Sequence, residues 1–292
     1  MQFINSVQQI LCCESVGTVE GLCRHLGWQA RRVFRKFPCE LTISQSRLMV
    51  CSPNGVAALV NSMGMYDFNN MSLIQAVLRG GLVTFIDVGA NIGAYTMVAS
   101  EIPAASVISI EPHPGTFRML FRNVSTNRRS NVICLNTAIS DREGDVNLTN
   151  RMESSINRIL DPGEIENEYV HVSCRTLDSL CCEGGIRPDV IKIDVEGHEG
   201  RVLAGFRQFL PMTKLVFIEG GEKREITDVL KAHNFLGPAY FHFTTKAFLS
   251  SPQRRREDPV YVNESFVDTI NRMCINIDDH LLGEQITTLA RE

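Results

Sequence analysis

No stretch of this 292-residue sequence approaches the ~20 consecutive apolar residues that a membrane-spanning helix needs, so a helical span is not expected. Residues 1–10 have neither the basic start nor the unbroken apolar run of a secretion signal. Ten cysteines are present, yet no Cys-x-x-Cys and no Cys/His array has the spacing of a zinc site. The adjacent pairs Cys12–Cys13 and Cys181–Cys182 are badly placed to bridge to themselves. Reduced thiols in a reducing compartment follow, and the protein reads as cytoplasmic. An excess of charge of one sign is missing too. With 29 Lys and Arg against 33 Asp and Glu, the formal net charge is −4. That gives a nucleic-acid backbone no clustered positive field to bind, and no aromatic and basic residues alternate along a surface stretch. Two local basic clusters, Arg24 to Lys36 and Arg254 to Arg256, read as a solvated helix face and a surface loop. No internal repeat is visible.

What is present is an ordinary globular composition, 44% hydrophobic and 21% charged, long enough for one large α/β domain with extensions. Residues 1–40 carry mixed helical signals, with Val33, Phe34 and Phe37 among arginines before Pro38 stops the pattern. Leu41–Ile43 and Leu48–Cys51 look like strands, punctuated by Pro53-Asn54-Gly55, and Met71–Leu78 like a short helix. Residues 1–80 are therefore expected to be an accessory segment, 81–265 the main domain and 266–292 a helical tail.

The rhythm of the main domain is strand, helix, strand. Apolar strands are expected at Val83–Asp87, Ser106–Glu111, Asn131–Leu135, Val190–Asp194 and Lys214–Glu219, with helices at Ala94–Glu101, Gly115–Asn127, through Val202, Leu203, Phe206 and Phe209, and up to His233. Val146–Leu148 and Val170–Val172 are further short strands. Strands apolar on both faces and alternating with helices mean a parallel sheet covered on both sides. Ala239–Phe243 and Pro259–Val262 lack an intervening helix and suit an antiparallel hairpin closing the sheet edge.

In such a sheet, ligands bind beyond the carboxyl ends of the strands, where strand order reverses. The first strand ends Asp87-Val88-Gly89-Ala90-Asn91-Ile92-Gly93. The glycines let the backbone turn and approach a ligand, and the helix that follows offers free N–H groups to a carboxylate or phosphate. Asp87, ahead of the glycines, would repel a phosphate but stabilise an amino group. Glu111 ends the next strand 24 positions later, near the ~20-residue offset at which an acid grips ribose hydroxyls. Gly-x-x-x-Gly is not the Gly-x-Gly-x-x-Gly that cradles a pyrophosphate. An adenosyl amino acid fits this pattern better than NAD.

Phe85–Gly93, Glu111-Pro112-His113-Pro114 and Ile191-Lys192-Ile193-Asp194-Val195-Glu196-Gly197-His198-Glu199 together resemble the FkbM family of S-adenosylmethionine-dependent methyltransferases, over roughly residues 83–265. The resemblance implies a Rossmann-like class I methyltransferase fold, an α/β architecture with a mainly parallel seven-stranded sheet, helices on both faces and a terminal antiparallel hairpin. It implies S-adenosylmethionine as cofactor, with Asp87, Gly89, Asn91 and Gly93 at its methionine end and Glu111-Pro112 at its ribose. It also places Ala138 and Ile139, within Thr137–Asp141, at its adenine.

Asp194, Glu196, His198 and Glu199 follow the fourth main strand on the same sheet edge. Aligning donor and acceptor does much of the work of methyl transfer, and an alcohol acceptor must also lose its proton. His198 is the natural base near neutral pH, with Glu196 and Asp194 as alternatives. The plainer reading is that Glu196, His198 and Glu199 stabilise the first turn of a helix. Asp194 and Glu219, ending neighbouring strands, could hold a magnesium ion, but nothing in the spacing demands one and none is expected. Ser154-Ser155 reads as an ordinary loop, with substrate hydrogen bonding as the alternative. The leading expectation is O-methylation of a hydroxyl on a sugar, glycan or secondary metabolite. The alternatives are a non-catalytic adenosyl-binding module and, disfavoured by the glycine spacing, an NAD-dependent oxidoreductase. A small-molecule or glycan acceptor is the expected partner, and neither its identity nor the oligomeric state is legible.

Overall fold

The computed structural model describes residues 17–273 apart from 54, 152–156, 162, 165 and 253–256, together with the backbone of 276–277. Cys12, Cys13, Ser154, Ser155 and the arginines at 254–256 lie outside these residues.

The chain opens with helix α1 (Thr18–Val33) and the hairpin β1 (Cys39–Ile43) and β2 (Ser46–Val50), followed by α2 (Gly55–Met63) and α3 (Phe68–Arg79). Gly21, His25 and Trp28 form the buried face of α1, and Phe37 stacks edge-on against Trp28 at 5.5 Å. Val33 and Phe34 lie on the exposed side.

Alternating strands and helices follow: β3 (Thr84–Val88), α4 (Ala94–Ser100), β4 (Ser106–Ile110), α5 (Pro114–Thr126) and β5 (Val132–Leu135). A separate three-stranded sheet interrupts the alternation. In it β6 (Ala138–Ile139) runs parallel to β8 (Tyr169–Arg175), and β7 (Gly144–Thr149) runs antiparallel to β8. Helix α6 (Leu177–Gly184) leads back to the main sheet through β9 (Val190–Ile193), α7 (Glu199–Ala204), β10 (Leu215–Ile218) and α8 (Arg224–Ala232). The chain then forms β11 (Phe235–His242), β12 (Ala247–Leu249), β13 (Val260–Asn263), α9 (Val267–Arg272) and β14 (Asn276–Ile277).

The main sheet has nine strands in the order β14-β12-β11-β13-β10-β9-β3-β4-β5. Seven of them, β11 to β5 in that order, make the expected mainly parallel sheet, and β12 and β14 extend its edge. The expected hairpin is present, because β11 and β13 pair antiparallel, but it does not simply close the edge. Strand β13 lies inside, between β11 and β10, antiparallel to both. All four of its residues are buried, so the strand needs a neighbour on either side.

Successive residues of the central strands feed opposite faces. Phe85 joins a core shared with Trp28, Leu41, Leu48, Ile74 and Leu120, so the N-terminal helices and hairpin share one apolar core with the sheet. Ile86 joins the opposite core with Ile191, Leu203, Val216 and Leu230. Burying each such side chain contributes roughly 1.5–3 kcal/mol. Helix α7 ends at Gly205, short of the expected run through Phe206 and Phe209. The Ser140 carbonyl oxygen would lie 2.2 Å from a Cβ at Gly205, and the two phenylalanines are buried beyond the helix.

Strand order reverses at β3, with β4 on one side and β9 on the other. The residues after β3 and β9 therefore face a common crevice.

Candidate active site

The turn after β3 is held from below and from both sides. Gly89 and Ala90 donate their N–H groups to the Ile110 carbonyl at 3.0 and 2.9 Å. Gly89, at φ +81°, lies against the neighbouring turn so closely that a Cβ there would come within 1.8 Å of the Asp194 carbonyl oxygen. Asn91 is also left-handed, at φ +52°, and its side-chain oxygen accepts from Ile92 N at 2.8 Å. Gly93, at φ +93°, caps α4. The sequence pattern thus becomes a tight loop whose backbone faces the crevice.

Glu111 ties this loop to the next strand. Its two carboxylate oxygens accept from Asn91 N and His113 N, each at 2.9 Å. Each oxygen keeps a second lone pair, so the carboxylate still has room for two vicinal hydroxyls. Burial pushes its carboxyl up to about 7. Asn136, which sequence reasoning did not single out, donates to the carbonyls of Glu111 and Pro112 at 2.8 and 2.9 Å and fixes their path. Asp87 is fully buried, accepts from Thr96 Oγ1 at 2.8 Å and is also pushed up, by burial above all. Ala138 and Ile139 are both buried, in different apolar clusters, on the short strand β6.

The turn after β9 carries the second group. Lys192 sits within the wholly buried strand β9, its ammonium 2.7 Å from Asp194 Oδ2 and 4.8 Å above the Tyr95 ring. Burial pushes the Asp194 carboxyl up, but Lys192 more than offsets this and holds it below the usual carboxylate range. Glu196 follows in a left-handed conformation, φ +54°. Its carboxyl rises to about 7 through burial and through the nearby Asp194 and Glu199 carboxylates. Glu219, just beyond β10, rises to about 9 through burial and the Asp194 charge, and it hydrogen-bonds Asp194. Oxygen atoms of Asp194, Glu196 and Glu219 lie within 4.8 Å of one another. Among the described residues, these three form a group that could ligate a metal ion.

His198 is placed differently. Its Nε2 lies 2.8 Å from Ser140 Oγ, and burial, aided by Arg201, keeps its pKa low. The structure therefore brings Asp194 and Glu196 together with Glu219, while His198 is engaged with the loop after β6. Glu199 is buried and accepts from Gly197 N at 2.9 Å, closing the turn.

Sequence reasoning missed the far wall. Asp67, just before α3, accepts a short hydrogen bond from the Tyr95 hydroxyl and another from Asn70 Nδ2 at 3.1 Å. Asp258 rises to about 7 through burial and the Asp67 charge. Lys192 was legible in principle, because a charged residue inside Val190-Ile191-Lys192-Ile193 demands a partner. Asp67 and Asp258 reach the crevice only through packing between distant segments.

The donor set suits an adenosyl amino acid. Buried acids with spare lone pairs match a cationic ligand bearing vicinal hydroxyls and would repel a pyrophosphate.

The model of the methyltransferase FkbM domain matches residues 87–236. The hexuronic acid methyltransferase AglP of Haloferax volcanii is 31% identical over 157 residues, which are 49% of this chain and 59% of that protein. The chain thus spans less than two thirds of the length of this relative. Among solved structures, M. jannaschii TYW2 in complex with AdoMet matches at TM-score 0.41 and 11% identity, over 76% of this chain and 83% of that one. An O-methyltransferase from Bacillus cereus in complex with SAH matches at TM-score 0.33 and 12% identity, over 56% of this chain and 66% of that one.

Proposed function

The chain belongs to the FkbM family of S-adenosylmethionine-dependent methyltransferases, and from that premise we propose that it methylates a hydroxyl oxygen of a sugar. The observation that carries this reading is the meeting, at one switch point, of the Asp87–Gly93 loop with the Asp194, Glu196 and Glu219 carboxylates. The hexuronic acid named for the Haloferax volcanii relative supports a sugar acceptor.

S-adenosylmethionine, when bound there, would supply an electrophilic methyl group to the acceptor oxygen. Glu111 would hold the ribose hydroxyls with the lone pairs its two backbone bonds leave free. The Gly89–Gly93 loop would let the methionine end approach the backbone, Asp87 would offer it negative charge, and Pro112, Ala138 and Ile139 would bound the nucleoside side.

Glu196 takes the acceptor's hydroxyl proton. Its carboxyl, raised to about 7, is a stronger base than an ordinary carboxylate and is still largely ionised above neutrality. Asp194, paired with Lys192, keeps a fixed negative charge beside it, and Glu219 retains its proton at neutral pH and donates to that charge. His198 keeps the turn in place through Ser140.

The test is methylation of a sugar panel by the purified protein with S-adenosylmethionine, read by mass spectrometry. Glu196→Gln is expected to lower kcat roughly 10²–10⁴-fold while adenosyl binding by calorimetry stays intact. Undiminished turnover in that variant would refute the base assignment. A folded wild type that binds the cofactor but methylates no sugar would refute the acceptor class.

A further inference from the structure

Helix α1 turns an apolar crest away from the protein. Its packed side is Gly21, His25 and Trp28. On the opposite side Val19, Leu26 and Val33 recur every seven residues, two turns apart, with Phe34 at the end of the helix. These four side chains are 61–76% exposed, and no other large apolar side chain described exceeds 57%. Cys23 and Ala30, also exposed, fill the spaces between them. Single exposed apolar residues are ordinary, but four aligned on one helix mark a contact surface.

Charge is gathered at the same place. The chain as a whole is acidic, at −4, yet residues 18–36 hold Arg24, Arg31, Arg32, Arg35 and Lys36 against Glu20 alone. Arg24 is paired with Glu20, while among the described residues no carboxylate pairs with Arg31, Arg32, Arg35 or Lys36. Lys36 Nζ lies 6.0 Å from the centre of the Phe34 ring, so a cation and an apolar side chain leave the helix end together. The basic cluster that reads in sequence as a solvated helix face thus flanks an apolar crest.

A second copy of this chain would bring the same cations against one another across a two-fold axis. A protein groove that takes a helix face needs large anchors at successive turns, and the intermediate turn positions here offer only Cys23 and Ala30. A lipid surface needs no such match of shape. It takes an apolar crest into the acyl boundary and holds the flanking cations at anionic headgroups. We propose that α1 docks this protein on a membrane surface that carries anionic lipid. Val19, Leu26, Val33 and Phe34 enter the acyl boundary, and Arg31, Arg32, Arg35 and Lys36 stay at the headgroups. With 16 residues, packed along one side, the helix lies on the membrane and does not cross it.

Co-sedimentation of the full chain with lipid vesicles tests this. Phosphatidylcholine vesicles containing phosphatidylglycerol are expected to bind it roughly tenfold more tightly than phosphatidylcholine alone, less so as salt is added. Leu26→Asp with Val33→Asp is expected to lower that binding roughly tenfold, and so is Arg32→Glu with Lys36→Glu. Trp28, the single tryptophan, is buried beneath the crest, so an unchanged emission maximum shows that α1 is still packed in each variant. Adenosyl binding by calorimetry is expected to stay at the wild-type level throughout. Loss in only one of the two variants would reduce the contact to charge alone or to apolar contact alone, and either result would overturn the proposal. Equal binding to both vesicles, or undiminished binding in both variants, would overturn it as well. So would a wild type that binds no vesicle. A dimer that Leu26→Asp dissociates would then give the crest to a second copy, and a lowered Tm in that variant would give it to a cover within the chain.

Discussion

Gly89 is where the two halves of the site touch. No side chain fits between its Cα and the Asp194 carbonyl, and its φ of +81° is one that L residues rarely adopt. Gly89→Ala must therefore push apart the turns after β3 and β9. The expected loss is about 3 kcal/mol or more of unfolding free energy, as backbone strain and displaced packing combine, with adenosyl binding abolished. Urea denaturation beside calorimetry checks this, and near-wild-type stability would contradict the geometry. Glu111→Gln probes the neighbouring contact. An amide places one NH₂ where the carboxylate accepts a backbone N–H, so at least a tenfold weaker affinity for S-adenosylmethionine is expected. Affinity equal to wild type would show that Glu111 does not hold the ribose. Asp87, Gly89, Gly93 and Glu111 were legible because strand ends and left-handed turns restrict which residues can stand there. Asp67 and Asp258 were not, since nothing local in Tyr66-Asp67-Phe68 or Glu257-Asp258-Pro259 says that they come near Lys192.

At the scale of elements, one carboxylate gathers several of the bonds that fasten the β1–β2 hairpin to the methyltransferase core. Glu101, which caps the C-terminus of α4, accepts from Ser44 Oγ at 2.6 Å, Gln45 N at 2.8 Å, Ser46 Oγ at 2.7 Å and Gln75 Nε2 at 2.9 Å. Asn123 of α5 adds a second tie, accepting from Met49 N at 2.7 Å and donating to the Ile92 carbonyl at 2.9 Å. Hydrogen bonds to a charged group contribute about 1.5–3 kcal/mol each before losses to water. Glu101→Ala is expected to cost about 2–4 kcal/mol and to increase amide exchange in residues 39–50 before the central strands exchange. Uniform exchange across the chain would argue against the hairpin as a separate weak point. The main strands and helices were legible from apolar periodicity. The early end of α7 was not, because it depends on the approach of Ser140, some sixty residues upstream, to Gly205.

Across the whole molecule, several acids are stabilised in their protonated form. Burial lifts Glu111 to about 7, Asp258 rises to about 7 and Glu219 to about 9. A carboxyl whose folded pKa is raised contributes stability that is present below its unfolded pKa and is lost as pH rises through the folded value. The protein without cofactor is therefore expected to lose stability as pH rises from about 4 to 9, most steeply up to about 7. Glu111 alone accounts for about 3 kcal/mol at 1.36 kcal/mol per pKa unit. Differential scanning calorimetry should show Tm falling from pH 5 to pH 8, and a Tm that rises across that interval would contradict the burial of these acids. None of the described helices is long and apolar enough to cross a membrane, and the seven cysteines described are all unbridged.

The position of β13 has a consequence for synthesis. During translation β10 and β11 are made before residues 260–263, yet these two strands do not pair with each other and wait for the strand that separates them. Until that segment leaves the ribosome, both present bare backbone edges. The nascent chain thus carries its cofactor motifs, complete in sequence, while the sheet behind them is still split. Closure of the sheet waits for β13, made after both strands that it separates, and a chaperone that shields strand edges would have its work there.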